Sequence, residues 1–188
     1  MCGRYYIESE DVVEELREII EAVNRKVTEA DKVKTSGEVF PTNVVPVLAG
    51  GKVVPMKWGY KGQSLTVNAR SETVTDKPMF RRSVVEARCL IPASGYYEWE
   101  PTEEGKKKRA LFAPTPVIYM AGIYRQEKDL VLPSFVILTR EAAPGIKHIH
   151  ARMPVILAGD QRRAWLAGGA NARGIIERAF EGIEARAV

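Results

Sequence analysis

The sequence predicts an α+β fold, a mainly antiparallel, irregular, barrel-like sheet with flanking helices, and three observations predict it. From Pro41 to Leu157 the chain is largely a succession of short β-type runs broken by Gly and Pro. Apolar residues at helical spacing fall near the two ends and in one stretch between strands. Finally, 188 residues with 45% hydrophobic and 28% charged side chains give the balance of a globular chain able to bury one good core. No linker divides it, so residues 1–188 are expected to form one domain.

Taken in order, the first element is an amphipathic helix from Ser9, with Val12, Val13, Leu16, Ile19, Ile20 and Val23 at helical spacing. Ser9 is a fitting N-cap ahead of Glu10 and Asp11. Strands follow at Val44 to Leu48, Lys52 to Trp58 and Leu65 to Ala69, then a short helix from Pro78 to Ala87. Further strands are expected at Arg88 to Ile91, Gly95 to Glu100, Arg109 to Ala113, Val117 to Tyr124, Ser134 to Thr139 and Met153 to Leu157. Helices from Asp160 to Leu166 and Asn171 to Ala185 close the chain. In the last of these, Ile175, Ile176, Phe180 and Ile183 suit a cover for the core. The run Glu103 to Arg109, with Gly105 followed by three lysines, reads as a solvated hairpin tip, although a basic tip could also touch DNA.

Composition narrows the function classes. No apolar run approaches the roughly 20 residues that cross a bilayer, and no apolar stretch follows Met1-Cys2-Gly3-Arg4 as in a secretory signal, so a cytoplasmic protein without membrane contact is expected. Two cysteines, Cys2 and Cys89, are too few for a disulfide framework or a cysteine-ligated zinc site. A net charge of +4 and a pI near 9.1 permit contact with phosphates without establishing it.

Several residues carry chemical potential. Removal of Met1 would leave Cys2 with an α-amine and a thiol on one residue. Their reference pKa values, about 7.7–8.0 and about 8.5, leave part of each nucleophilic near neutral pH. Such a 1,2-aminothiol attacks an aldehyde through its amine, and the thiol then closes on the imine carbon to give a thiazolidine. A frayed terminus with an incidental cysteine is the plain alternative. The two histidines, His148 and His150, precede Arg152-Met153-Pro154; an imidazole there can carry a proton, but on its own is more often a satisfied structural group. Period-two alternation in Gly95-Tyr96-Tyr97-Glu98-Trp99 sends Tyr96, Glu98 and Glu100 to one face and Tyr97 and Trp99 to the other. Glu98 among aromatics would have a raised pKa, unless an arginine pairs with it. Asn68 and Arg70, two apart, share a face if the segment is extended. Arg4 lies two residues past Cys2, where an arginine can hold a phosphate. Trp58, ahead of Gly59, offers either a stacking surface for an unpaired base or a core side chain.

Together these segments closely resemble the SRAP family, the SOS response-associated peptidase fold that includes abasic-site-shielding proteins. The resemblance rests on Met1-Cys2-Gly3-Arg4-Tyr5, Pro41-Thr42-Asn43-Val44-Val45-Pro46, Trp58-Gly59, Asn68-Ala69-Arg70-Ser71-Glu72-Thr73, the run from Arg88 through Trp99, and His150-Ala151-Arg152-Met153-Pro154. Any one is weak; six in register are specific and span nearly the whole chain. The resemblance implies that the mature N-terminal Cys2 forms a thiazolidine crosslink with the ring-opened abasic sugar. It also implies that Glu98 and His150 are the acid/base residues and that Asn68 positions the reacting end. Arg4, Arg70 and Arg152 match DNA-phosphate contacts, and Trp58 matches the aromatic that stacks at distorted DNA. It implies an irregular antiparallel barrel, a partner in single-stranded DNA carrying abasic sites, and no metal or organic cofactor.

One departure stands out. Many relatives have a longer segment between the Trp-Gly pair and the Asn-Ala-Arg motif, whereas only Tyr60 to Val67 intervenes here, so one wall of a DNA groove is expected to be trimmed. His148 has no match and is read as structural, and Cys89 as a small buried residue. A monomer is the default expectation. Besides covalent capture, with strand cleavage or crosslink reversal by the same groups, two other readings stay open. One is a cysteine peptidase using Cys2, His150 and Glu98 or Asn68, including self-processing. The other is a noncovalent nucleic-acid-binding module, for which Cys2 would be dispensable.

Overall fold

β-branched and other apolar residues dominate the chain after Val44, and strand pairing satisfies its backbone. The computed structural model describes residues 2–8, 33–169 and 171–188; the helix expected from Ser9 lies outside them. Twelve strands are described: β1 (Tyr5–Ile7), β2 (Gly37–Val39), β3 (Val44–Ala49), β4 (Lys52–Trp58), β5 (Asn68–Arg70), β6 (Arg88–Ala93), β7 (Gly95–Thr102), β8 (Gly105–Phe112), β9 (Ile118–Arg125), β10 (Ser134–Glu141), β11 (Arg152–Pro154) and β12 (Glu184–Ala187). Three short helices accompany them: α1 (Ser83–Glu86), α2 (Asp160–Leu166) and α3 (Ala172–Glu177).

The strands form two sheets. One runs β12-β8-β7-β1-β2, all antiparallel. The other runs β11-β10-β4-β3-β6-β9, and β9 pairs back to β10, so part of this sheet closes into a ring. β4 and β5 join β10 in parallel; the remaining pairs of this sheet are antiparallel. The expected α+β fold with a mainly antiparallel, barrel-like sheet is therefore present.

Local chemistry explains the joints. β3 and β4 pair to Ala49↔Lys52, leaving Gly50 and Gly51 as a two-residue loop with φ of 56° and 71°. That left-handed pair is what the tight, twist-compatible hairpin turn requires. The basic run beyond Glu103 is the expected hairpin, with Thr102 opposite Gly105. One core cluster draws Tyr5, Val39 and Tyr96 from the first sheet and Val45, Trp58 and Phe135 from the second. α2 seats Trp165 on this core, its indole N–H donating to the Cys89 carbonyl at 3.0 Å. Cys89 is buried, as expected of it.

Three expectations are corrected. The segment from Asn171 is helical only through Glu177; the Phe180 N–H bonds the Ile156 carbonyl at 2.8 Å, and β12 then pairs with β8. Ile175, Ile176 and Ile183 are still buried, so the core-covering face persists without a continuous helix. The helix expected from Pro78 shrinks to α1, preceded by turns. Leu65 is not in a strand but 45% exposed in a loop, because β5 begins only where Asn68 meets Ile137.

Candidate active site

β1 brings the N-terminal segment into the first sheet. Tyr5 pairs with Tyr96, and the register continues through the Tyr97 N–H to the Arg4 carbonyl at 2.9 Å, which carries Cys2 alongside Glu98. Cys2 is fully buried. From the other sheet, Asn68 at the start of β5 donates its amide Nδ2–H to the Cys2 carbonyl at 2.9 Å. The remaining amide oxygen, Oδ1, is buried and finds no partner among the described residues, so Asn68 can still accept one hydrogen bond at the same spot.

Glu98 lies on the inward face of β7, 3% exposed. The alternation read from the sequence therefore holds for Tyr96 and Glu98, while Tyr97 and Trp99 lie half-buried on the other side. Burial raises the Glu98 carboxyl above its ordinary range, partly opposed by nearby positive charge that includes His150. A 3-10 turn at Pro144–Ile146 leads to His150, whose ring Nδ1 lies 2.9 Å from the Arg152 backbone N–H and 3.1 Å from the Arg152 carbonyl, so the tautomer decides which of the two it bonds. The Cys2 thiol is pushed far up by its burial and then by the Glu98 charge, opposed by nearby positive charge and by a backbone hydrogen bond at Arg4; its Sγ lies 4.0 Å from the Arg4 carbonyl. The site thus holds a thiol that resists ionisation beside a buried carboxyl that ionises less readily than an exposed one. It can support nucleophilic addition with local proton transfer.

The arginines surround this pocket under restraint. Arg4 pairs with Glu38 at 3.2 Å, and its guanidinium lies 4.4 Å from the centroid of Phe40 and 5.0 Å from that of Trp99. Glu38 also holds Lys108. Arg152 meets Glu72 through two bonds of 2.6 and 2.9 Å and donates to the Thr139 carbonyl at 2.6 Å. The hydrogen bonding from Arg152 to Glu72 is the main reason the Glu72 carboxyl is lowered. Arg70 is exposed at the end of β5. His148 is exposed, its Nε2 3.9 Å from Glu100. Among the described residues no three His, Cys, Asp or Glu side chains gather as a metal site would need.

Trp58 requires correction. It is 0% exposed, its indole N–H donates to the Val67 carbonyl at 3.0 Å, and its ring packs between Tyr5 and Phe135. A side chain so enclosed offers no face to a base, and the core alternative is the one the structure adopts. Sequence reasoning also missed Glu38 and Glu72 as partners of the arginines. Glu72 stood inside the Asn68 to Thr73 motif, two residues past Arg70; for Glu38 no local signal existed, since its partners are 34 and 70 positions away.

Comparison with known proteins gives a consistent result. The profile of the SOS response associated peptidase (SRAP) family matches residues 1–187. "Abasic site processing protein YoaM" of Bacillus subtilis is 30% identical over 88% of this chain and 79% of its own. "Abasic site processing protein HMCES" of Xenopus tropicalis is 27% identical over 75% of this chain and 56% of its own. A crystal structure of a Bacteroides thetaiotaomicron protein superposes with a TM-score of 0.79 at 22% identity, covering all of this chain and 92% of that one, a likeness of fold.

Proposed function

The chain belongs to the SOS response associated peptidase (SRAP) family, and on that premise we propose that it processes abasic sites in single-stranded DNA by covalent capture through Cys2. The observation that carries this reading is the hydrogen bond from Asn68 to the Cys2 carbonyl, which fixes the N-terminal residue in a pocket shared with buried Glu98. The relatives' names point to abasic sites as the lesion.

Once Met1 is gone, the Cys2 amine adds to the C1′ aldehyde of the ring-opened sugar and water leaves, giving an imine. Asn68 Oδ1 holds the amine while Asn68 Nδ2 keeps the carbonyl. Glu98, whose pKa burial raises, exchanges protons with the reacting oxygen and sulfur, and His150 supports the same transfers. The thiol then closes on the imine carbon to give the thiazolidine. Arg4, Arg70 and Arg152 hold phosphates on either side, the first and last after exchanging Glu38 and Glu72 for DNA. Strand cleavage by β-elimination and reversal of the crosslink are side reactions of the same imine.

A cysteine peptidase is less well supported. Such enzymes lower the thiol pKa through a neighbouring imidazolium, whereas the Cys2 thiol here is raised.

The test is a denaturing gel with intact mass, using protein that begins at Cys2 and a single-stranded oligonucleotide with one abasic site. The expected result is a heat-resistant band at the mass of protein plus DNA minus water, absent with undamaged DNA and with Cys2→Ser. No such band from correctly processed protein overturns the proposal.

A further inference from the structure

Arg4 does not meet Glu38 alone. Glu38 stands on β2 opposite Tyr6, and its two carboxylate oxygens go to different cations: Oε2 to the Arg4 guanidinium at 3.2 Å, Oε1 to the Lys108 ammonium. The hydrogen bond from Lys108 is the main reason the Glu38 carboxyl is lowered, so it is an anion at neutral pH. All three side chains remain open to solvent, Arg4 at 29%, Glu38 at 33% and Lys108 at 24%. Among the described residues these ion pairs set two cations against one carboxylate. Neutralising Glu38 takes one of them, and pairs this open add little to stability.

Aromatic rings hold both cations in place independently of the carboxylate. The Arg4 guanidinium lies against Phe40 and Trp99, as described above, and the Lys108 ammonium lies 3.8 Å from the centroid of Tyr97. Lys108 also pairs with Trp99 across the β7–β8 ladder. Both cations would therefore keep their positions if the anion between them left. One anion with its two oxygens on two preset cations is the arrangement that the two non-bridging oxygens of a phosphodiester would take. The cluster adjoins Cys2, since Arg4 is two residues on and its carbonyl accepts the Tyr97 N–H.

We propose that Arg4 and Lys108 together form one phosphate subsite for the single strand flanking the lesion, and that the Glu38 carboxylate occupies this subsite until a phosphodiester replaces it. Lys108 is then a DNA-binding residue, and the β7–β8 hairpin is one wall of the groove. Lys107, the next residue back, faces the other side of the ladder opposite Glu100 and takes no part. The proposal rests on the function above for its ligand, single-stranded DNA, and adds Lys108 and Glu38 to the residues that select it.

The test measures binding by fluorescence anisotropy with single-stranded oligonucleotides that carry a tetrahydrofuran in place of the abasic sugar. This analogue has no aldehyde and forms no adduct. A single uncharged methylphosphonate linkage is stepped along either side of it. Lys108→Gln is expected to weaken binding of the all-phosphate oligonucleotide several-fold. At one linkage, and only there, the further loss caused by the methylphosphonate should shrink relative to wild type, because two changes to one contact do not add. Lys108→Arg should restore affinity and pattern, Lys107→Gln should leave both unchanged, and Glu38→Gln should tighten binding several-fold. Wild-type affinity in Lys108→Gln overturns the proposal, as does a loss that adds fully at every linkage, the mark of general charge attraction. A parallel reaction with a genuine abasic site separates this proposal from the function above. Crosslinking without the coupled linkage defeats the subsite alone, and the coupled linkage without crosslinking defeats covalent capture alone.

Discussion

Asn68 ties the two sheets together at Cys2: its backbone belongs to β5, while its amide holds the Cys2 carbonyl. In this site and elsewhere in the core, buried groups resist losing a proton. The thiols of Cys2 and Cys89 and the phenols of Tyr5, Tyr60 and Tyr96 are all raised, in each case chiefly by burial. Unfolded, the thiols ionise near about 8.5 and the phenols near about 10. Above about pH 8.5 the folded state therefore binds more protons than the unfolded state, and stability falls as pH rises. Thermal unfolding should show a Tm that is level from about pH 7 to 8 and declines above about 8.5. In the Cys2→Ser, Cys89→Ala double variant the onset should move to the phenol range near about 10. An onset that stays put in that variant would mean the thiols are not buried as described.

At the scale of elements, the site depends on how β1 meets β7. Gly95 opens β7 opposite Tyr6, and a Cβ there would meet the Tyr6 hydroxyl and come within 2.5 Å of the Leu111 carbonyl. Gly95→Ala should cost about 1–3 kcal/mol through overpacking, and because it pries β1 from β7 it should also slow crosslinking; Tm and single-turnover rate together check this. A variant with wild-type Tm would show that the close approach is not maintained in solution. Some of these elements were legible from sequence because their signals are local. β4 runs from Lys52 to Trp58 and α2 from Asp160 to Leu166, as their patterns predict. β1 and β2 were not legible: three residues carry too little pattern, and both owe their strand geometry to partners remote in sequence. The C-terminal segment failed for a related reason. Ile175, Ile176, Phe180 and Ile183 fit helical spacing, but β8, seventy-odd positions back, captures the end as a strand. At the site, motifs pointed to Cys2, Asn68, Glu98 and His150; in the structure Asn68 bonds the Cys2 carbonyl, and the charges of Cys2, Glu98 and His150 act on one another. Spacing could not say that Trp58 would be enclosed by Tyr5 and Phe135, since enclosure is a property of three segments together.

For the whole molecule, a net charge of +4 leaves binding to DNA dependent on how many cations are released to meet phosphates. Arg70 is exposed, whereas Arg4 and Arg152 are each held by a carboxylate, Glu38 and Glu72. Under the proposed function, these pairs would make phosphate binding an exchange of one anion for another, weakening affinity for undamaged strands and leaving the covalent step to provide retention. If all three arginines engage phosphates, the affinity for undamaged single-stranded DNA should fall with salt at a log–log slope of roughly −2, about −0.7 for each of three contacts. Glu72→Gln removes the competing charge without removing bulk and should tighten binding several-fold at low salt. It should leave that slope nearly unchanged if Arg152 already engages a phosphate in the wild-type complex. Fluorescence anisotropy with an undamaged oligonucleotide over a range of salt concentrations measures both. A slope that steepens by about 0.7 in Glu72→Gln would instead mean that Arg152 stays with Glu72 in the wild-type complex and reaches DNA only when that carboxylate is gone. Unchanged affinity together with an unchanged slope would remove Arg152 from the DNA-binding surface altogether.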